Sequence, residues 1–348
     1  MFKKLLSLFM VVALFTSVLA ACGNTEDKAA DGEKKSSGKA RVIRAGIGLN
    51  DKHPQYLALL KFKEIVEKET NGSITVETYH SSQLGDDRAM MEALQLGTQQ
   101  MTIPSTAPIA NFVPEFSVYD IPFLFPSEEV ADKVLLESDV AKELLDKLPA
   151  QGMVGLAYWE NGFRDLTNDK VAVATAADFK NLKIRTMENQ LHLAAFKALG
   201  ANPTPMAFAE VFTAMQQGTI DGQENPVATI YLQKFNEVQK YLSTTHHVYS
   251  PFVVLLSKMF WDESSKEEQE ILVKAAQESG DYERQLNREA NTKYLEDLKA
   301  AGMTVTEVTP EAREEMKAIT DKAVAPFEEK IGKDTIEKVK AAVEEAGK

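Results

Sequence analysis

"NLKIRTMEN" (Asn181–Asn189) sets Leu182 and Ile184 in alternation with Lys183 and Arg185, the period-two pattern of a strand with one apolar face. The strand is expected to end at Arg185, with a helix over Met187–Leu199. A strand that runs into a helix is half of a βαβ unit, so the α/β class turns on whether the unit recurs. An arginine at such a junction is either solvated surface or an anion ligand. The rest of the chain decides between them.

The unit recurs on both sides. Upstream, "RVIRAGIGL" (Arg41–Leu49) reads as a strand, and "HPQYLALLKFKEIVEKETNG" as a helix stopped at Asn71–Gly72. "SITVETY" is a second strand, Asp86–Leu96 a second helix, and "QMTIPS" a third short strand. A helix is expected over Glu128–Leu148, followed by the hydrophobic strand "GMVGLAYWENG". Downstream come strands at "VAVA", "LKIR", "ANPTP" and "TIDGQEN", each followed by a helix, and then the long β run "TTHHVYSPFVVLLSK". Ser264–Lys348 is helical in pattern, interrupted by a short strand in "AGMTVTEVTP". Chain crossings near Trp159 and Ser250 give two α/β lobes joined by a hinge. The first lobe takes residues 41–160 with about 251–310, the second 161–250, and helices of 311–348 pack on the lobes.

The amino end says where this body works. "MFKKLLSLFMVVALFTSVLAACGN" has Lys3 and Lys4 before an apolar run from Leu5 to Leu19. That run falls short of the roughly 20 residues that span a bilayer, and small residues close it, as in a secretory leader over residues 1–21. Cys22, the sole cysteine, follows Ala20–Ala21 and resembles the lipidated first residue of a bacterial lipoprotein. Residues 22–40 are polar and lack large apolar side chains, as a tether does. The protein is therefore expected outside the cytoplasm, held by lipid on the outer membrane face without crossing it.

Charge excludes one class of partner. The formal net charge of −13 becomes −15 once the two leader lysines are removed, and acidic chains bind nucleic acid poorly. No metal or cofactor is indicated: the five histidines lack HExxH spacing, and His246 and His247, adjacent on a strand, point to opposite faces. No nucleophile elbow or phosphate loop appears, so no enzyme is expected. Two arginines stand out instead. Arg164 in "WENGFRDLTN" and Arg185 both fall at strand-to-loop junctions of the second lobe, with Asn225 in "GTIDGQENP" at a third. Ligands of open α/β sheets gather at strand carboxyl ends, and a guanidinium fork matches a carboxylate. The residues describe a two-lobed binder of a small carboxylate.

"SSQLGDDRAM" (Ser81–Met90), "NGFRDLTN" (Asn161–Asn168), "LKIRT" (Leu182–Thr186), "PTPMAFAEVFTAMQQGTIDGQENP" (Pro203–Pro226) and "QKFNEVQKYL" (Gln233–Leu242) together resemble the DctP-type solute receptors of tripartite ATP-independent periplasmic (TRAP) transporters. The resemblance implies a periplasmic-binding-protein-like clamp, the Venus flytrap architecture, closing on an organic acid. It implies delivery to a membrane permease driven by an ion gradient, with the receptor extracytoplasmic. It implies Arg185 as the carboxylate anchor, Arg164 and Asn225 as further polar contacts, Phe208 as an aromatic wall and Asp87 as a first-lobe contact. Placement at loops or strand ends adds His53, Ser105 and Trp159 as candidates.

Departures bear on the ligand. Sialic-acid receptors of the family would carry an acidic residue at Ser105 and an asparagine at Gly48. Without them a smaller acid is expected. Two arginines suit two carboxylates, which favours a four-carbon dicarboxylate, with a uronate or other sugar acid as the alternative. A ligand sensor and a receptor for an ATP-driven importer share the same clamp physics.

Overall fold

The computed structural model describes residues 40–348; the leader, Cys22 and the tether up to residue 39 lie outside the described residues. Strand β1 (Arg41–Gly46) buries Ile43 and Ala45 and leads to helix α1 (Pro54–Glu69). Pro54 starts α1 without wasting a donor, and Ala58, Leu59, Phe62 and Val66 line its buried stripe. Strand β2 (Ile74–Tyr79), helix α2 (Asp87–Gln95) and strand β3 (Met101–Thr102) complete the first βαβ series. After an irregular helical region come β4 (Met153–Asn168), β5 (Lys183–Thr186), helix α3 (Gln190–Ala198), β6 (Asn202–Pro205) and β7 (Gly222–Asn225). The chain returns along β8 (Tyr241–Ser257), enters the 35-residue helix α4 (Lys266–Ala300), and adds β9 (Thr304–Glu307) before its last helices.

The nine strands form one sheet in the order β2-β1-β3-β8-β4-β7-β5-β6, with β9 beside β8. β1, β2 and β3 run parallel at one side, and β5, β6 and β7 run parallel at the other. Between them β4 and β8 pair antiparallel from Met153–Ser257 to Asn168–Tyr241. Two doubly wound halves are thus stitched by two long strands, the two-lobed clamp the pattern predicts. The stitching pair is irregular: its register shifts between Glu160 and Gly162, where Gly162 has φ 105°. Only glycine adopts that backbone readily.

Apolar side chains gather in separate cores on the two halves. Phe62, Trp159 and Leu272 belong to one, Phe116 and Tyr158 to a second, Phe179 and Phe196 to a third, and Phe235 and Leu242 to a fourth. Helix α4 lies against β4 so closely that a Cβ on Gly280 would stand 2.7 Å from Trp159 Cδ1.

Four expected elements differ. The strand expected over "GMVGLAYWENG" runs on to Asn168 because β8 pairs along its whole length, so Arg164 lies within β4 and not at a strand-to-loop junction. "VAVA" is not a strand, because the Asn168 side chain accepts from the Lys170 and Val171 amides at 2.9 and 2.8 Å and bends the chain out of the sheet. The helix expected over Glu128–Leu148 breaks at Ser138, whose hydroxyl caps a new start at Asp139–Leu145. Helix α3 begins at Gln190, not Met187, because Asn189 is its N-cap and accepts from the Leu191 amide at 2.8 Å.

Candidate ligand-binding site

The strand ends converge on one cavity. Gly48 and Leu49 follow β1, Ile103 and Ser105 follow β3, Arg185 and Met187 stand at the end of β5, and Asn225 ends β7. Asn161 and Arg164 of β4 and Phe252 of β8 line it from the stitching strands. It encloses about 430 Å³ of space between atoms, part of it open to solvent. A second compartment of about 400 Å³ adjoins it, sharing Gly48, Asp87, Arg185, Met187 and Phe208.

Arg185 is buried, and its Nε and Nη2 donate to the Met206 carbonyl at 3.0 and 2.7 Å. Its guanidinium carbon lies 6.0 Å from the Phe208 ring centroid. Among the described residues no carboxylate oxygen stands within 4.0 Å of it. Burial pushes its pKa down to about 10, against the pull of Glu224, so it stays charged at neutral pH. A buried cation without a paired anion is costly; this one faces a cavity.

Arg164 is differently placed. Its Nε and Nη2 grip both carboxylate oxygens of Glu224, and Nη2 also donates to the Glu224 carbonyl. Burial opposes the ionisation of Glu224, but the Arg164 charge and the His247 hydrogen bond outweigh it and hold the carboxyl well below its usual range. The fork of Arg164 is therefore occupied, and the premise of two free arginines for two carboxylates falls with it. Asn225 lies beside this pair with its Nδ2 donating to Gln223 Oε1 at 2.5 Å. Asp87, partly buried at the start of α2, has its pKa pushed up to about 7 by burial first and then by Asp86. Gly48 separates Asp87 from Phe208: a Cβ there would stand 3.8 Å from Asp87 Oδ1 and 3.9 Å from Phe208 Cδ1.

The family described as bacterial extracellular solute-binding protein, family 7 (DctP) matches residues 45–330. The chain belongs to this family. It is a TRAP solute-binding protein, similar to the 2,3-diketo-L-gulonate-binding periplasmic protein YiaO of Escherichia coli (41% identical, covering 78% of this chain and 82% of that one). It is likewise similar to the C4-dicarboxylate-binding periplasmic protein DctP of Rhodobacter capsulatus (40% identical, 84% and 88%). Among solved structures, the sugar acid binding protein of Advenella mimigardefordensis in complex with galactonate superposes with a TM-score of 0.86 at 44% identity, covering 88% of this chain and 99% of that one. The family is one of solute-binding proteins, not an enzyme class.

In this solute-binding protein Arg185, Arg164, Asn225, Phe208, Asp87 and Ser105 line the one cavity. His53 and Trp159 do not. The His53 imidazole caps α1 by accepting from the Gln55 amide at 3.2 Å, and its Nε2 meets Thr229 Oγ1 at 3.2 Å. Burial lowers its pKa to about 3, so it is neutral. Trp159 donates Nε1–H to the Ala276 carbonyl at 2.8 Å and packs on Gly280, a packing role. The contact from His53 to Thr229 is one of several that bridge the two halves. Asn50 Nδ2 donates to the Leu232 carbonyl at 2.8 Å, and Asn111 Nδ2 to the Glu188 carbonyl at 2.7 Å.

Sequence reasoning missed Gln55, Asn161 and Phe252 in the lining, and Glu224 beside it. Asn161 and Glu224 sit one to three residues from residues singled out, in "ENGFR" and "GQEN", and adjacency was a usable signal. Gln55 lies two residues from the candidate His53, so the same adjacency pointed to it.

Proposed function

We propose that this protein is an extracytoplasmic receptor that binds a small organic acid through the Arg185 guanidinium and delivers it to an ion-gradient-driven permease. The observation that carries the reading is Arg185 itself: buried, charged, facing the cavity and, among the described residues, with no carboxylate oxygen within 4.0 Å. Relatives described as binding diketogulonate, C4-dicarboxylate and galactonate support an acid ligand without choosing among these classes.

With lobe boundaries near Trp159 and Ser250, we propose a hinge at the β4–β8 stitching; the register shift by Gly162, which interrupts the ladder there, supports this reading. Ligand binds the open clamp, and its better fit to the closed form shifts the equilibrium. The bond between His53 and Thr229 belongs to the closed seam, not to the ligand. A lipid on Cys22 and the tether after it would keep the receptor at the membrane where its permease sits. The test is a thermal-shift panel of organic acids beside neutral alcohols of matched size. Organic acids should raise the melting point; a panel in which only neutral compounds do so would overturn the reading.

A further inference from the structure

We infer that Gln55 and Asn161 read ligand hydroxyls, so that the cavity takes a hydroxylated acid with one carboxylate in preference to a dicarboxylate. The inference rests on the reading of Arg185 as the carboxylate anchor.

Gln55 is 1% exposed, and its Nε2 donates to the Ile103 carbonyl at 2.9 Å. That bond fixes the amide, because the reverse orientation would set oxygen against oxygen. Its Oε1 is left without a hydrogen-bond partner among the described residues, and the residue lines the cavity. Asn161, 4% exposed, donates from Nδ2 to Ser105 Oγ at 3.3 Å, and its Oδ1 is likewise without a partner. Both residues line the compartment that Arg185 shares, and neither lines the adjoining one.

Amide oxygens only accept, and an ionised carboxylate only accepts. A second carboxylate beside Gln55 Oε1 and Asn161 Oδ1 would meet lone pairs on both, in a buried setting where an unpaired charge is costly. A hydroxyl donates to such an oxygen and accepts from Ser105. Charge gives the same answer: Glu224 already compensates Arg164, which leaves Arg185 as the guanidinium able to balance a ligand charge. One end of the ligand is thus an anion, and the rest carries donors.

Titration calorimetry tests this with threonate, gluconate and galactonate beside succinate and glutarate. The best hydroxy acid is expected to bind at least tenfold tighter than either dicarboxylate. Gln55→Leu and Asn161→Leu should each shrink that preference about tenfold, with melting curves confirming that the variants fold. A dicarboxylate binding tighter than every hydroxy acid overturns the inference, as do folded variants that keep the preference. Arg185→Ala separates this failure from failure of the anchor. If it abolishes binding while dicarboxylates win, only the hydroxyl reading falls; if it binds all acids as the parent does, the anchor falls too.

Discussion

Arg164 and Glu224 hold each other in a two-pronged pair, with side chains 1% and 0% exposed, in the same cavity wall that carries Arg185, which has no ion-pair partner among the described residues. Two arginines that look alike in sequence therefore have different work. The first is neutralised by its own strand neighbour, and the second is left for an incoming anion.

Removing one partner of the pair strands the other. Glu224→Gln leaves a buried guanidinium uncompensated and should destabilise the fold by about 3–5 kcal/mol, read by urea unfolding. Because the folded carboxyl titrates below its ordinary value of 4.5, its contribution is complete above that pH and is lost only as pH falls further. The gap between parent and variant should stay level from neutral pH to about pH 5 and then narrow. A gap that widens in acid would contradict the pairing.

Asp87 gives the opposite sign. Its folded pKa of about 7 exceeds the ordinary 3.8, so the folded protein holds a proton that the unfolded chain releases. Stability should fall as pH rises from about 4 to about 7 and then level off, and Asp87→Asn should lack that fall. Once ionised, Asp87 also opposes an anion at Arg185. Acid affinity should weaken severalfold between pH 6 and pH 8 in the parent and not in Asp87→Asn. Identical calorimetric pH profiles would remove Asp87 from the site.

Trp159 is tested through its neighbour. Gly280→Ala forces a methyl to within 2.7 Å of the indole, an overpacking that costs about 1–3 kcal/mol. Denaturation should report that loss while ligand affinity is unchanged. Lost affinity at unchanged stability would return Trp159 to the ligand.

Much of this was legible in the chain. Ile184 and Leu182 alternate with Lys183 because β5 has a buried face, and the same strand carries Arg185 to its carboxyl end, where α/β sheets bind ligands. What sequence could not show was pairing across the sheet. Leu166 of β4 lies opposite Glu224 of β7, so Arg164, two residues along the same strand, reaches Glu224 diagonally across the sheet, 60 residues away in the chain. Nothing local distinguishes an arginine so paired from one left free. Asn168 shows the reverse failure: a local side-chain turn overrode the β pattern of "VAVA". His53 and Trp159 lie near strand and loop ends, but backbone and packing partners already hold their polar atoms.

The most direct measurement is calorimetric titration of Arg185→Lys with whichever acid binds the parent protein. The lysine keeps the charge and loses the planar fork. The account predicts a loss on the order of 2–5 kcal/mol, tenfold in affinity for each 1.4 kcal/mol, with the melting curve of the unliganded protein preserved. An unchanged dissociation constant in a folded Arg185→Lys protein would contradict it.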